Sequence, residues 1–463
     1  MDSILRDTLL IVCEHLTDID KINLSAVSTH FEQLKYNVKY TTKRDIAEIE
    51  HLSFFDNFER VYILKSKPLP KHVKEMHFRT NCQIQTPDCV THLIISSYSG
   101  SSIRKYIPHT VKYLEIRHGR QSKALTNFYL PDSVTHLIIN QLIDAATMNC
   151  TFKSVTHLTF GAFNDWNNHM YFPNITHLTF CDTFDEHICR DMFPKVTHMT
   201  FGMLFRKSIK DAIPLTVTHL TFGTFFNEPI DDAIPDGVTH LTFGNYFTRP
   251  IKDNIPASVT HLTFGEKFSE SIEGAIPNSV THLVLHNSVI KNMLPPFVTH
   301  LAWDPVGNIE DDVPISVTHL TLGPNFNLKM LRRIPSSVTN LTLDGNKKPI
   351  KIPSSITHLT FGDNFNQTIE NIIPSSVTHL TFGFHFNQPI ANTIPLSVTH
   401  LTFGHHFNQL IANNIPSSVI HIKFGIQFAQ SLDTLSSSIK EVTLHRAHTK
   451  LINDDLMSKI RFI

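Results

Sequence analysis

The chain has 463 residues, 41 of them acidic and 40 basic, for a formal net charge of −1 with histidine neutral. So even a balance excludes a general electrostatic attraction to nucleic acid or to an anionic membrane. No stretch approaches the ~18 continuous apolar residues of a spanning helix, and the first residues lack a basic n-region leading into a long apolar run, so an intracellular, cytoplasmic location is expected. Cys13, Cys82, Cys89, Cys150, Cys181 and Cys189 fall at irregular spacings with no C-x-x-C pair, which reads as reduced, incidental thiols. The counts that need explaining are 30 histidines and 34 phenylalanines.

Residues 1–44 differ in composition from everything that follows. Leu5, Leu9, Val12 and Leu16 share one helical face, Thr17-Asp18-Ile19-Asp20 supplies a helix start, and Ile22, Leu24, Val27, Phe31 and Leu34 belong to the helices after it. A helical segment of this size is marginal alone and leaves apolar surface in want of a partner.

These residues resemble an F-box, through Leu5-Arg6, Asp7, Leu9-Leu10, Leu16, Ile19-Asp20 to Leu24, and Val27-Ser28-Thr29-His30-Phe31. The departure is Arg6, where the family has proline; a proline in a first helical turn only preorganises that turn. The resemblance implies docking on a Skp-type adaptor of a cullin ubiquitin ligase, with Leu5, Leu9, Leu10, Leu16 and Phe31 as adaptor-facing candidates. A plain helical cap on the following domain is the alternative.

From about residue 45 to 442 the chain is a repeat array. Val-Thr-His-Leu-type strands start at residues 196, 217, 238, 259 and 280 in one run and at 356, 377, 398 and 419 in another, with a spacing of 21 residues inside each run. That period, with an L-x-L strand, is the signature of a leucine-rich-repeat-like parallel β-solenoid, here of about 18–19 repeats. Counting from Val217, apolar residues fall at positions 1, 4, 6, 10, 14 and 18: Val217, Leu220, Phe222, Phe226, Ile230 and Ile234. Leu220 and Phe222 point to one face of the strand, His219 and Thr221 to the other. Gly223 suits positive φ or close backbone approach. Ile230 and Ile234 are spaced as in one helical turn, which Pro235 stops. Positions 6 and 10 predict two stacked phenylalanine columns.

The array is expected to begin with Ile49-Glu-His-Leu, to be degraded through residue 150, and to end with a strand at Ile439-Lys-Glu-Val442, leaving 443–463 as a C-terminal cap. The fold class is therefore α+β: a small helical domain at 1–44, then the solenoid. The repeat resembles the FNIP repeat, a relative of leucine-rich repeats, through Phe226-Asn-Glu-Pro-Ile230 and Phe386-Asn-Gln-Pro-Ile390. Asn stands at position 11, and the polar residue ordinary leucine-rich repeats carry at position 9 is often missing, so the means of satisfying the turn backbone is open. F-box plus FNIP architectures are similar to those of social amoebae and of giant viruses of amoebae, which would place a viral version in the host cytoplasm.

Histidine recurs at position 3, at residues 136, 157, 177, 198, 219, 240, 261, 282, 300, 319, 358, 379, 400 and 421. Strands ~4.8 Å apart would carry these rings as a file on the exposed sheet face. Zinc wants three or four converging ligands, which a straight file does not offer, so no metal and no cofactor are expected. Two charged neighbours at that spacing would repel by about 0.9 kcal/mol in water, so the file should resist protonation. Motifs for nucleotide, zinc-protease or serine-hydrolase chemistry are missing from the sequence.

The expected function is non-enzymatic: a substrate-recognition subunit of a Skp/cullin/F-box ligase whose solenoid holds an unidentified target protein, with a protein-interaction scaffold unconnected to ubiquitin as the alternative. A monomer is expected. The candidate target-binding face comprises His219, Thr221, His240, Thr242, His261, Thr263, His379 and His400, together with Trp303 in the irregular repeats.

Overall fold

The computed structural model describes residues 13, 17–26, 32–65, 67–79, 85–96, 107–117, 130–139, 152–160, 171–286, 294–304, 313–347, 351–445 and 458–462. Leu5, Leu9, Leu10, Leu16 and Phe31, the adaptor-facing candidates, lie outside them. The chain divides into two compact halves, Met1–Phe226 and Asn227–Ile463.

In the N-terminal half, Thr17 opens a helix over Asp18–Ala26: its Oγ1 accepts the Asp20 N–H at 3.2 Å and donates to the Asp20 carboxylate at 2.6 Å. This helix is turned with its polar side inward. Asp18 accepts the backbone N–H groups of Thr41 and Thr42 at 3.0 and 2.6 Å, and the buried Lys21 ammonium pairs with Asp18 and donates to the Lys39 carbonyl. Ile19 and Ile22 are left outside, 60% and 39% exposed.

The strands of this half, from Arg44–Asp45 through Arg60–Ile63, Glu75–Arg79 and onward to His198–Thr200 and His219–Thr221, pair each with the next and always in parallel. One expectation fails at the start. Ile49-Glu-His-Leu is not a strand, because Asp45 accepts the Ala47 N–H at 2.9 Å and caps a helical turn over Ile46–Ile49 that buries both isoleucines. The sheet opens before it with the short strand Arg44–Asp45, and the next strand comes after it, with Phe58, Val61 and Ile63 at positions 1, 4 and 6 and in register with Met76 and Phe78 of the following repeat.

The C-terminal half repeats the same object from His240–Thr242 to Glu441–Leu444, and Ile460–Phe462 adds a further parallel strand inside the segment expected to be only a cap. Like pairs with like: His379 lies opposite His358 and His400, Leu380 opposite Leu359 and Leu401, Thr381 opposite Thr360 and Thr402. A one-residue slip would put every leucine in water, so the apolar pattern fixes the register.

The repeat beginning at Val377 shows how one turn of the chain closes. Val377, Leu380, Phe382, Phe386, Ile390 and Ile394 are all buried. Phe382 and Phe386 stack at 4.0 Å between centroids, and each continues into the next repeat, to Phe403 at 5.5 Å and Phe407 at 6.0 Å. These are the two aromatic columns the sequence predicts; the N-terminal half has them too, as in Phe201, Phe205, Phe222 and Phe226.

The expected helical turn at positions 14–18 is instead a tight turn. Thr393 N–H donates to the Ile390 carbonyl at 3.2 Å, with Asn392 left-handed at φ 55°. That third place of the turn requires positive φ, which Asp, Asn and Gly tolerate best. Position 16 accordingly holds Asp211, Asp232, Asp253, Gly274, Asn371, Asn392 or Asn413, all with positive φ. The glycine at position 7 has the other reason foreseen for it. A Cβ on Gly404 would land on the carbonyl group of Gly383, and one on Gly383 on that of Gly362, so the backbones stack too closely for any side chain.

Candidate binding face and groove

Position 11 of the repeat settles how the turn backbone is satisfied. Asn366 Oδ1 accepts the Asn387 N–H at 2.9 Å, Asn387 Oδ1 the Asn408 N–H at 3.0 Å, and Asn408 Oδ1 the Ala429 N–H at 2.9 Å. The following glutamines add to the same acceptors, Gln388 on Asn366 at 3.0 Å and Gln409 on Asn387 at 2.9 Å. Asn227 does the same for Thr248 at 2.9 Å, and in the N-terminal half Asp185 accepts the Arg206 N–H at 2.7 Å. An acceptor handed from one repeat to the next locks these turns in step.

On the sheet face opposite the core stand the histidines and threonines. His219 and Thr221 in the N-terminal half, and His240, Thr242, His261, Thr263, His379 and His400 in the C-terminal half, are partly exposed and alternate with buried leucines. The rings form stacks. His136, His157, His177, His198 and His219 follow one another at 4.1–4.2 Å. In the C-terminal half His240, His261, His282, His300 and His319 stack at 4.0–4.1 Å, and His358, His379, His400 and His421 at 4.1–4.7 Å. Asn340 stands between those two runs, opposite both His319 and His358.

Apart from His421, which follows Ile420, each ring follows a threonine that can hold it: Thr378 Oγ1 lies 3.0 Å from His379 Nδ1 and 3.2 Å from the Thr357 carbonyl of the preceding repeat. Burial against their neighbours, then the neighbouring imidazoles, lowers the pKa of His157, His177, His261, His282, His300, His379 and His400. The geometry is that of an aromatic wall. Ring planes only 10–15° from parallel, as in the His240 to His319 and His358 to His400 runs, aim their nitrogens side by side, not at a common point.

Trp303 does not belong to this face. It occupies position 6, opposite Leu285 and Leu322, and is 1% exposed. The strand His300–Asp304 keeps the ordinary alternation, so the indole takes the place of a core phenylalanine. Among the described residues its Nε1–H has no hydrogen-bond partner.

What sequence reasoning missed is a groove of about 440 Å³ in the C-terminal half. Thr321, Thr342, Thr360 and Thr381 form its floor, with Asp344, Asp363, Phe384 and His405 along the rim. Asp344 replaces the position-7 glycine, and its pKa is raised by burial, then by Asp363 and Asp304. Phe384, 40% exposed, stacks on His405 at 4.4 Å, and its backbone N–H donates to Asp363 at 3.0 Å. The available signal was the substitution of aspartate for glycine at 304 and 344, at the point where the repeat length slips.

The FNIP repeat model matches residues 205–246, 226–267, 247–288, 346–385 and 386–427. Among solved structures the chain is similar to CroV588, described as a novel circular leucine-rich-repeat protein: 30% identity, 88% of this chain and 73% of that one, TM-score 0.51. The chain is a leucine-rich-repeat-like protein that carries FNIP repeats. Its FNIP array is also similar to the putative FNIP repeat-containing protein L415 of Acanthamoeba polyphaga mimivirus, 26% identical over 187 residues, or 35% of this chain and 44% of that one. The match thus spans less than half of that viral FNIP protein. The first of these is described as a leucine-rich-repeat protein and the second by its FNIP repeats, so both descriptions are of repeat proteins. No helix among the described residues is long and apolar enough to cross a membrane.

Proposed function

We propose that this FNIP-repeat protein is the target-recognition subunit of a Skp/cullin/F-box ubiquitin ligase. Its first 44 residues dock on the adaptor, and the histidine and threonine face of the array holds a target protein. The chemistry would belong to partner enzymes; this chain contributes effective concentration and orientation.

The observation that carries the reading is the inverted helix Asp18–Ala26. Its charged residues Asp18 and Lys21 are buried against the segment at Lys39–Thr42 that leads into the array, while Ile19 and Ile22 face outward. A helix serving only as a cap would bury its isoleucines and leave its charges in water. The outward isoleucines fall within the segment that resembles an F-box, beside Leu16 and Leu24 in sequence.

Capture of the full chain by a Skp-type adaptor tests this, comparing wild type with Leu9→Asp/Leu10→Asp and with Ile19→Asp/Ile22→Asp. Capture by wild type and loss in both variants is expected. No capture, or capture indifferent to all four changes, removes the ligase reading and leaves a protein-interaction scaffold.

A further inference from the structure

The groove in the C-terminal half has a floor, a charge and an aromatic rim, and these together specify an occupant. Its floor crosses four consecutive strands, through Thr321, Thr342, Thr360 and Thr381, and its lining reaches Gly404 and His405 in the next repeat. At ~4.8 Å per strand that is ~19 Å, the length of about six residues of extended chain.

The charge is negative and uncompensated. Asp344 and Asp363 line the groove, and Asp304 adds its field to that of Asp363 on Asp344. Among the described residues no lysine or arginine forms an ion pair with any of the three. Asp304 is occupied, holding the Asn325 backbone and side-chain N–H groups at 2.8 and 2.9 Å. Asp363 gives one oxygen to Phe384 N–H, which aims the carboxylate and leaves its other oxygen for a second donor.

The aromatic rim is a cluster, not a single ring. Phe384 stacks on His405 and lies 4.8 Å from His406, whose Nδ1 is 3.2 Å from that of His385. His405 Nδ1 is shielded from solvent and has no partner among the described residues. An exposed phenylalanine braced by three imidazoles, next to carboxylates without counterions, offers one surface for an alkyl stem and another for a cationic head.

We propose that this groove binds an extended segment of a partner protein carrying an arginine or lysine. The cationic head sits between Asp344 and Asp363, its stem lies on the threonine methyls, and a neighbouring apolar residue packs on Phe384. This rests on the reading of the array as a target-binding surface and specifies the chemistry of what is bound. It does not depend on the adaptor.

The test uses the full chain without adaptor and short fluorescein-labelled peptides that differ only in a central arginine, norleucine or glutamate, read by anisotropy at low and raised salt. The arginine peptide should bind about tenfold or more tightly than the norleucine peptide, with the preference falling as salt rises. Asp344→Asn/Asp363→Asn should abolish that preference; Phe384→Ala should weaken the arginine and norleucine peptides alike; Glu266→Gln/Glu273→Gln, elsewhere on the same half, should change neither. Equal affinity for all three peptides, no measurable binding of any, or an equal loss in the Glu266/Glu273 variant overturns the proposal. Because replacing both carboxylates by amides removes their mutual repulsion, melting of the double variant at or above the wild-type temperature shows that lost binding is not lost folding. Failure here with adaptor capture intact would discard the groove and keep the receptor; the reverse pattern would keep the groove and discard the ligase.

Discussion

Asn387 Oδ1 accepts the backbone N–H of Asn408 at 3.0 Å, and Asn408 passes the same contact on to Ala429. The same oxygen of Asn387 also takes the Gln409 side-chain N–H at 2.9 Å. Removing it leaves the Asn408 N–H without its acceptor, while Gln409 keeps the Asn387 backbone carbonyl at 3.1 Å. Asn387→Ala should therefore cost about 0.5–1.5 kcal/mol, and Asn387→Asp, which retains the acceptor as Asp185 does in the other half, markedly less. Urea midpoints with unchanged slopes would check this; a loss as large for aspartate as for alanine would show that the acceptor is not the cause.

The two kinds of glycine predict two different costs. Gly404 has backbone where its Cβ would go, so Gly404→Ala must push consecutive repeats apart, at about 1–3 kcal/mol. Gly274, at φ +62° with open space around it, exacts only the left-handed penalty, so Gly274→Asn should be nearly neutral. Thermal melts of the two variants should differ in that order.

The imidazole stacks make stability depend on pH. The folded-state pKa values of seven of these imidazoles, His157, His177, His261, His282, His300, His379 and His400, are lowered, so near and below the unfolded value of about 6.5 the unfolded chain binds more protons than the native one, and stability rises with pH. The stabilising contribution of the neutral rings is complete above that value and is lost as pH falls through it toward the lower folded values of His157, His177, His261, His282, His300, His379 and His400. The melting temperature should fall as pH drops from about 7.5 to about 5.5. Asn340 shows a tolerated replacement, since its Oδ1 accepts from Thr339 at 2.9 Å where a histidine would offer Nδ1. His261→Asn/His282→Asn should therefore flatten the pH profile while leaving the melt at the upper end of that range close to wild type. A wild-type midpoint that does not move over this range would contradict the account.

Trp303 tests its reassignment from the binding face to the core. Trp303→Ala should cost about 3–5 kcal/mol, as for a large buried side chain. Trp303→Phe, which removes the unpartnered indole N–H along with some volume, should cost far less. Binding of a target protein should survive the phenylalanine change. Urea unfolding and target capture measured on the same two variants separate a core role from a contact role.

Much of the fold could be read from the residues themselves. Strict recurrence of Val, Leu and Phe at positions 1, 4 and 6 dictates one parallel strand per repeat and a shared interior, because a period of two within a strand leaves only one face apolar. The histidine file follows from the same alternation. Local sequence does not carry what depends on which repeats lie side by side. Asp45 capping Ala47 outweighed the resemblance of Ile49-Glu-His-Leu to a strand, and position 11 revealed its purpose only once Asn387 was seen to serve Asn408 in the next repeat. Asp344, Asp363 and Phe384 are separated along the chain and vary from repeat to repeat, so no motif marks them. Stacking of successive repeats places them along one groove, and only the tertiary structure brings their charge and aromatic surface together.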